Sequence, residues 1–144
     1  MVASGEVPKL DLEREVAVQQ TCLAAAEAGL PLAAHDCSDG GLAVALAEMC
    51  FSSLGRHAIG AEINLCGTLE PVVLLFSESP SRIVMSFDPA DAAAIEELAR
   101  RNNAPFAILG RVGGARLVIS INGHEAIDAT VVELETAWRT ALSF

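Results

Sequence analysis

Basic residues are scarce in this chain. Nine Lys+Arg stand against 19 Asp+Glu among 144 residues, a formal net charge of −10 and a pI near 4.6. Lysine occurs once, at Lys9, and the arginines are scattered. That balance excludes a nucleic-acid-binding surface, which needs basic groups clustered on one face. No apolar run reaches the ~18 residues that a membrane-spanning helix requires. The start, Met-Val-Ala-Ser-Gly-Glu-Val-Pro-Lys, lacks the basic region and apolar core of a secretory leader. Cys22, Cys37, Cys50 and Cys66 form no C-x-x-C pair, so their spacing does not suit a metal site. Each lies among apolar or small residues and is expected to be a buried free thiol, which points to a reducing, cytoplasmic setting. Aromatic residues make up only 4%, with no tyrosine and one tryptophan.

Apolar residues are abundant instead: 52% of the chain, with a mean hydropathy of +0.43. That excludes disorder, and the length suits one domain. So much Ala, Val and Leu in a 15.0 kDa chain suggests apolar surface that packs against something else. An alanine-rich bias is the plainer alternative.

Residues 1–10, with Gly5 and Pro8 as breakers, read as a linker, and residues 11–144 as a single domain. Asp11 stands where a helix N-cap belongs, with Glu13 and Glu15 in the first turn. The spacing predicts a helix over residues 12–28 with Leu12, Val16, Leu23 and Ala26 inward, ended by Gly29 and Pro31. Residues 32–35 read as a buried strand, 36–41 as a turn, 42–53 as a helix and 58–65 as a strand. Residues 69–76 fit strand or helix equally. A strand over 82–87 leads to a helix starting at Asp88-Pro89 and running to about Arg101, with Ala93, Ile95, Leu98 and Ala99 inward. Strands follow over 106–112 and 116–121. Asn122-Gly123 is the strongest hairpin signal, and a short strand over 124–127 follows it. A closing helix over 131–142 has Leu134, Trp138 and Leu142 on one face. This order predicts an α+β fold, a mixed β-sheet layered with α-helices.

Two polar segments stand out. The turn Asp36-Cys37-Ser38-Asp39-Gly40-Gly41 lies between a strand and a helix, where glycines and a helix N-terminus favour anions. Asp39 places negative charge there and opposes a phosphate. The structural reading has Ser38 or Asp39 capping the helix. His35 and Cys37 alternate along one strand, but no third group can be assigned to orient a nucleophilic pair, and a packed thiol is the simpler reading. His57 and His124, near turns, read as solvated. In Ser77-Glu78-Ser79-Pro80-Ser81-Arg82, Glu78 and Arg82 could pair or hold a small polar ligand; a plain loop is the alternative. The candidate ligand-binding residues are therefore Asp36, Ser38, Asp39, Gly40, Gly41, Glu78, Ser79 and Arg82, with no catalytic residue or metal ligand among them.

Three segments together resemble a known family. Ala34-His35-Asp36-Cys37-Ser38-Asp39-Gly40-Gly41-Leu42-Ala43-Val44-Ala45-Leu46-Ala47-Glu48 is similar to the signature in the last domain of the phosphoribosylformylglycinamidine synthases, synthetase subunit. Leu75-Phe76-Ser77-Glu78-Ser79-Pro80-Ser81-Arg82-Ile83-Val84 resembles that domain's second signature. Ile108-Leu109-Gly110-Arg111-Val112 resembles the third, and Pro8-Lys9-Leu10-Asp11-Leu12-Glu13 the stretch entering the domain. The aminoimidazole ribonucleotide synthase superfamily carries looser versions.

The resemblance implies a C-terminal domain of the aminoimidazole ribonucleotide synthase type. It implies an enzyme that uses ATP and Mg2+ to activate the formyl amide oxygen of formylglycinamide ribonucleotide and replaces it with ammonia from glutamine, in purine biosynthesis. It also implies partners: other domains of the same synthetase, a glutaminase subunit and a small accessory subunit. The family's catalytic histidine and magnesium carboxylates lie in parts that this sequence does not match. Pro80 stands where the family's earlier copy has glutamine, which suggests a vestigial or structural site around Glu78, Ser79 and Arg82. No ATP or Mg2+ is expected on this domain alone, and the isolated chain is expected to be inactive. The alternative is a standalone small-molecule-binding or regulatory domain on the same fold.

Overall fold

A computed structural model describes residues 8–141. The first seven residues of the expected linker, and Leu142 of the expected closing face, lie outside the described residues. Helix α1 (Leu12–Glu27) begins as its sequence predicts: the Asp11 side chain accepts the Arg14 N–H at 3.1 Å. Strand β1 (Pro31–Asp36) follows, then α2 (Gly41–Cys50), β2 (Ala61–Leu65) and α3 (Pro71–Phe76). Of residues 69–76, ambiguous by period, 71–76 form a helix, with proline at its first turn. Strand β3 (Ile83–Phe87) leads through a 3-10 turn, Pro89–Asp91, into α4 (Ala92–Arg101). The second half closes with β4 (Gly110–Val112), β5 (Arg116–Ile121), β6 (His124–Thr130) and α5 (Val131–Thr140).

The strands form two sheets. β1 and β3 pair antiparallel, with His35 opposite Val84 and Asp36 opposite Ile83. The other four take the order β4-β2-β5-β6, where β2 and β5 are parallel and the remaining pairs antiparallel. Asn122 and Gly123 both have positive φ, 51° and 80°, and turn β5 directly into β6. α5 is started by a capping box, in which Thr130 and Glu133 satisfy each other's backbone N–H.

The core lies between α2 and the four-stranded sheet. Ala61, Ile63 and Leu65 alternate inward on β2, as do Leu117, Ile119 and Ile121 on β5, and they meet Leu42, Ala45 and Leu46 of α2. Burying each of the larger side chains contributes roughly 1.5–3 kcal/mol. The opposite face of this sheet carries Glu62, Arg111, Arg116 and Asp128, with Arg116 Nε 2.6 Å from Asp128 Oδ1. One face is therefore apolar and one polar, as an antiparallel-rich sheet allows.

Several expectations are corrected. In α1 the buried residues are Ala17, Thr21 and Ala25, while Leu12, Val16 and Leu23 point outward. Small side chains let α1 approach α4, whose Ile95 and Ala99 are buried; Ala93 is exposed. β1 is largely exposed rather than buried, because it has a neighbour on only one edge. α2 ends at Cys50 instead of Ser53, and the strand expected over 106–112 shortens to 110–112. All four cysteines are free, but Cys66 is exposed and Cys22 only half-buried.

Candidate functional site

The two polar segments meet. Residues 36–41 join β1 to α2, residues 77–82 join α3 to β3, and the β1–β3 pairing sets them side by side. The Cys37 N–H donates to the Arg82 carbonyl at 3.1 Å, which extends the ladder by one bond. The Gly40 N–H donates to Glu78 Oε1 at 2.8 Å.

That last bond decides how the helix start is capped. Gly40 is the N-cap residue of α2 and offers no side chain. Neither Ser38 nor Asp39 caps the helix, contrary to expectation. The Glu78 carboxylate supplies the cap from the other loop, with a negative charge placed where the helix dipole favours it. Gly40 and Gly41 both hold positive φ, 78° and 72°. A Cβ on Gly41 would stand 2.7 Å from the Phe76 carbonyl carbon and 2.8 Å from Ser77 O, so α2 begins in direct contact with the end of α3.

The remaining candidates divide. Ser38 Oγ donates to Asp36 Oδ2, and this bond, helped by the charge of His35, holds the Asp36 carboxyl below the usual carboxylate range. Asp36, Ser38 and Asp39 are exposed. Arg82 donates through one guanidinium nitrogen to Ser77 O at 3.2 Å and Ser77 Oγ at 3.3 Å, so the Glu78–Arg82 pair that the sequence leaves open does not form. Ser79 is half-buried in the same loop. Ser81 adopts a positive φ of 62°, unusual for a residue with a side chain, and its Oγ donates to Glu15 Oε2 of α1 at 2.5 Å. That bond first, and Gln19 second, lower the Glu15 pKa.

His35 has partners that spacing alone does not reveal. Its Nδ1 lies 2.6 Å from the Asp36 carbonyl oxygen and its Nε2 2.8 Å from Glu48 Oε2 of α2. Both ring nitrogens therefore face oxygen atoms, one on its own strand and one on α2. The i and i+13 separation of His35 and Glu48 fits no helical or strand period, and only the turn between them brings them together. Cys37 is buried; its burial pushes the thiol up, outweighing the pull of Arg82. A thiol of that kind is a packed side chain rather than a nucleophile.

The arrangement is thus a closed pair of loops. One N–H at its helix start, that of Gly40, is already taken by a carboxylate, and its outward groups are acceptors, which suits a donor-bearing neighbour better than a phosphate.

Comparison with known proteins agrees with the resemblance. The chain is 43% identical over 141 residues to phosphoribosylformylglycinamidine synthase subunit PurL of Moorella thermoacetica, covering 98% of this chain and 19% of that protein. It is 43% identical over 145 residues to the same subunit of Anaeromyxobacter sp. strain K, covering 96% of this chain and 19% of that one. The chain therefore spans about a fifth of the length of these relatives. Among solved structures it superposes on T. maritima PurL complexed with FGAR at a TM-score of 0.76 and 24% identity, covering 89% of this chain and 22% of that one. The PurLQS structure from the same organism gives 0.75 at 24%, with 90% and 23% covered. At that identity the likeness shows the α+β fold. Residues 2–122 match the family model described as AIR synthase related protein, C-terminal domain. The match takes in both loops and the elements that hold them, and the chain belongs to that C-terminal domain family.

Proposed function

We propose that this chain is the C-terminal domain of a PurL-type synthetase, the ATP- and glutamine-dependent carbon–nitrogen ligase that converts formylglycinamide ribonucleotide to formylglycinamidine ribonucleotide in purine biosynthesis. On this reading residues 11–144 form one unit after a linker over 1–10. It works in the cytoplasm beside the other domains of the synthetase, a glutaminase subunit and a small accessory subunit, without nucleic acid or membrane. The similarity to PurL subunits along almost the whole chain supports it.

The domain's own share is wall and scaffold. The observation that carries this is the Glu78 carboxylate on the Gly40 N–H, which sets a negative charge at the helix start that a phosphate would use. The residues present do not fit Mg2+–ATP. Among the described residues no group of three His, Cys, Asp or Glu could hold a metal ion, and the only lysine, Lys9, lies outside both loops. Asp36, Ser38, Asp39, Gly40, Gly41, Glu78, Ser79 and Arg82 therefore shape a border rather than a nucleotide pocket, and no catalytic residue is assigned.

The test is genetic and biochemical. The purified chain alone should neither hydrolyse ATP nor form the amidine product. It should not rescue a purine auxotroph lacking PurL. Placed in the M. thermoacetica subunit in place of the matching stretch, it should restore growth. Turnover by the chain alone would sink the scaffold reading, and a folded chimera that fails to rescue would sink the PurL assignment.

A further inference from the structure

Asn122-Gly123 is the chain's one Asn-Gly pair, and nothing in the proposed function draws on it. It forms the exposed two-residue turn between β5 and β6. Asn122 is held at three points. Its backbone N–H donates to Leu65 O at 2.9 Å. Its side-chain Nδ2 donates to Gly67 O at 2.8 Å, and its Oδ1 accepts the Gly67 N–H at 3.2 Å. The two side-chain bonds fix the plane of the amide and decide which end is oxygen, since a backbone N–H only donates and a carbonyl only accepts. They clamp the hairpin onto the loop over residues 66–70, which leads from β2 into α3.

An asparagine followed by glycine is open to a reaction that other asparagines resist, because no Cβ shields the next peptide nitrogen. The Gly123 nitrogen attacks Asn122 Cγ. The N–Cγ bond forms, the Cγ–Nδ2 bond breaks, and the amide nitrogen leaves as ammonia with the proton that the Gly123 nitrogen gives up. Water then opens the cyclic imide at either carbonyl and leaves aspartate or isoaspartate, with no change of oxidation state. We propose that, whatever the larger protein does, Asn122 is a deamidation site gated by its clamp on Gly67, and that conversion frees the loop entering α3. Ring closure turns the amide plane toward Gly123 and expels the nitrogen that Gly67 O holds, so both side-chain bonds open first. Afterwards the clamp does not re-form. An ionised aspartate has acceptors only and sets a charge beside the Gly67 carbonyl. An isoaspartate adds a methylene to the main chain of a turn whose length and positive φ values match the Ile121–His124 pairing.

Asp39-Gly40 is the one Asp-Gly pair and is open to the same ring closure. There the attacking nitrogen is occupied: the Gly40 N–H donates to the Glu78 carboxylate at 2.8 Å, which opposes loss of its proton. Freeing that nitrogen requires the two paired loops to part, whereas Asn122 is freed by movement of an exposed turn alone.

Peptide mapping by mass spectrometry tests this. The chain is aged in mildly alkaline buffer, folded and in guanidinium, and the tryptic peptide Leu117–Arg139 is followed, in which Asn122 is the only asparagine. Conversion of Asn122 should run about tenfold more slowly in the folded chain, because two hydrogen bonds must open first. In the folded chain it should still precede conversion of Asn64, Asn102 and Asn103 and isomerisation of Asp39. Asn122→Asp, the product itself, should speed hydrogen–deuterium exchange of residues 66–70 several-fold while α1 peptides stay unchanged. Asn122→Ala removes the clamp without adding charge and should loosen the same loop, and it serves if the aspartate variant fails to fold. Equal conversion in folded and unfolded chains would overturn the gate. Earlier conversion at another asparagine or at Asp39 would overturn the site, and a loop unmoved in the folded variants would overturn the release.

Discussion

At the scale of single residues, the two loops are held by close approach and by borrowed partners. Gly41 shows this most sharply. An alanine there meets the backbone of Phe76 and Ser77 and must also adopt a positive φ. Overpacking costs about 1–3 kcal/mol and the left-handed conformation about 1–2 kcal/mol, so Gly41→Ala should destabilise the fold by about 3 kcal/mol in urea unfolding. Gly29 has the same sign of φ but open space around it. Gly29→Ala should cost only the conformational part, about 1 kcal/mol. Equal losses at the two sites would show that α2 and α3 do not meet as closely as their geometry indicates. The glycine pair is visible in the sequence as a turn, but the reason for it is not. The atoms that obstruct Gly41 belong to Leu75, Phe76 and Ser77, and Glu78, which accepts the Gly40 N–H, is 38 positions from Gly40.

At the scale of elements, what could be read depended on whether the signal was local. The Asp11 cap, the Asn122-Gly123 hairpin and the bounds of β5 rest on neighbouring residues, and all three stand in the structure. The inward face of α1 is not legible from hydrophobicity, because its leucines and valine are larger and more apolar than the buried Ala17, Thr21 and Ala25. The seam with α4 selects small side chains, and only tertiary contact decides that. β1 is exposed for a similar reason, since an apolar run does not say how many neighbours a strand will have. α5 offers a test of local capping. Thr130→Ala removes the capping box and should cost about 1 kcal/mol. Acid should loosen the same helix. Glu133 is held below the usual carboxylate range first by the Thr130 hydroxyl, and Glu135 first by the Ser52 hydroxyl and then by Arg139. For carboxyls whose folded pKa is depressed, the stabilisation is present above the ordinary carboxylate pKa of about 4.3 and disappears as pH falls through the folded value. Trp138 lies in α5, so its fluorescence should report loosening below about pH 4 before far-UV circular dichroism shows global loss. A signal flat down to global unfolding would mean these contacts do not hold α5.

At the scale of the whole molecule, the chain carries a charge excess that its own contacts do not absorb. Among the described residues the Arg–carboxylate pairs are Arg100–Glu97, Arg116–Asp128 and Arg139–Glu135, all with substantial exposure on the arginine. Exposed pairs of that kind contribute about 0–1 kcal/mol each and weaken with salt. Self-repulsion within a net −10 chain also weakens with salt, and it acts in the opposite direction. The two effects can be ranked by reach. The pairs span 2.6 to 2.8 Å, well inside the screening length of about 10 Å at 0.1 M, whereas the unpaired carboxylates are spread over the surface at distances that salt screens first. Repulsion should therefore fade before attraction does. Raising NaCl from about 0.01 to 0.15 M at pH 7 should lift the melting temperature of the isolated chain, whereas lowering the charge by moving toward pH 5.5 at low salt should do the same without added ions. A melting temperature that falls with salt would place the ion pairs above the net charge as the governing term.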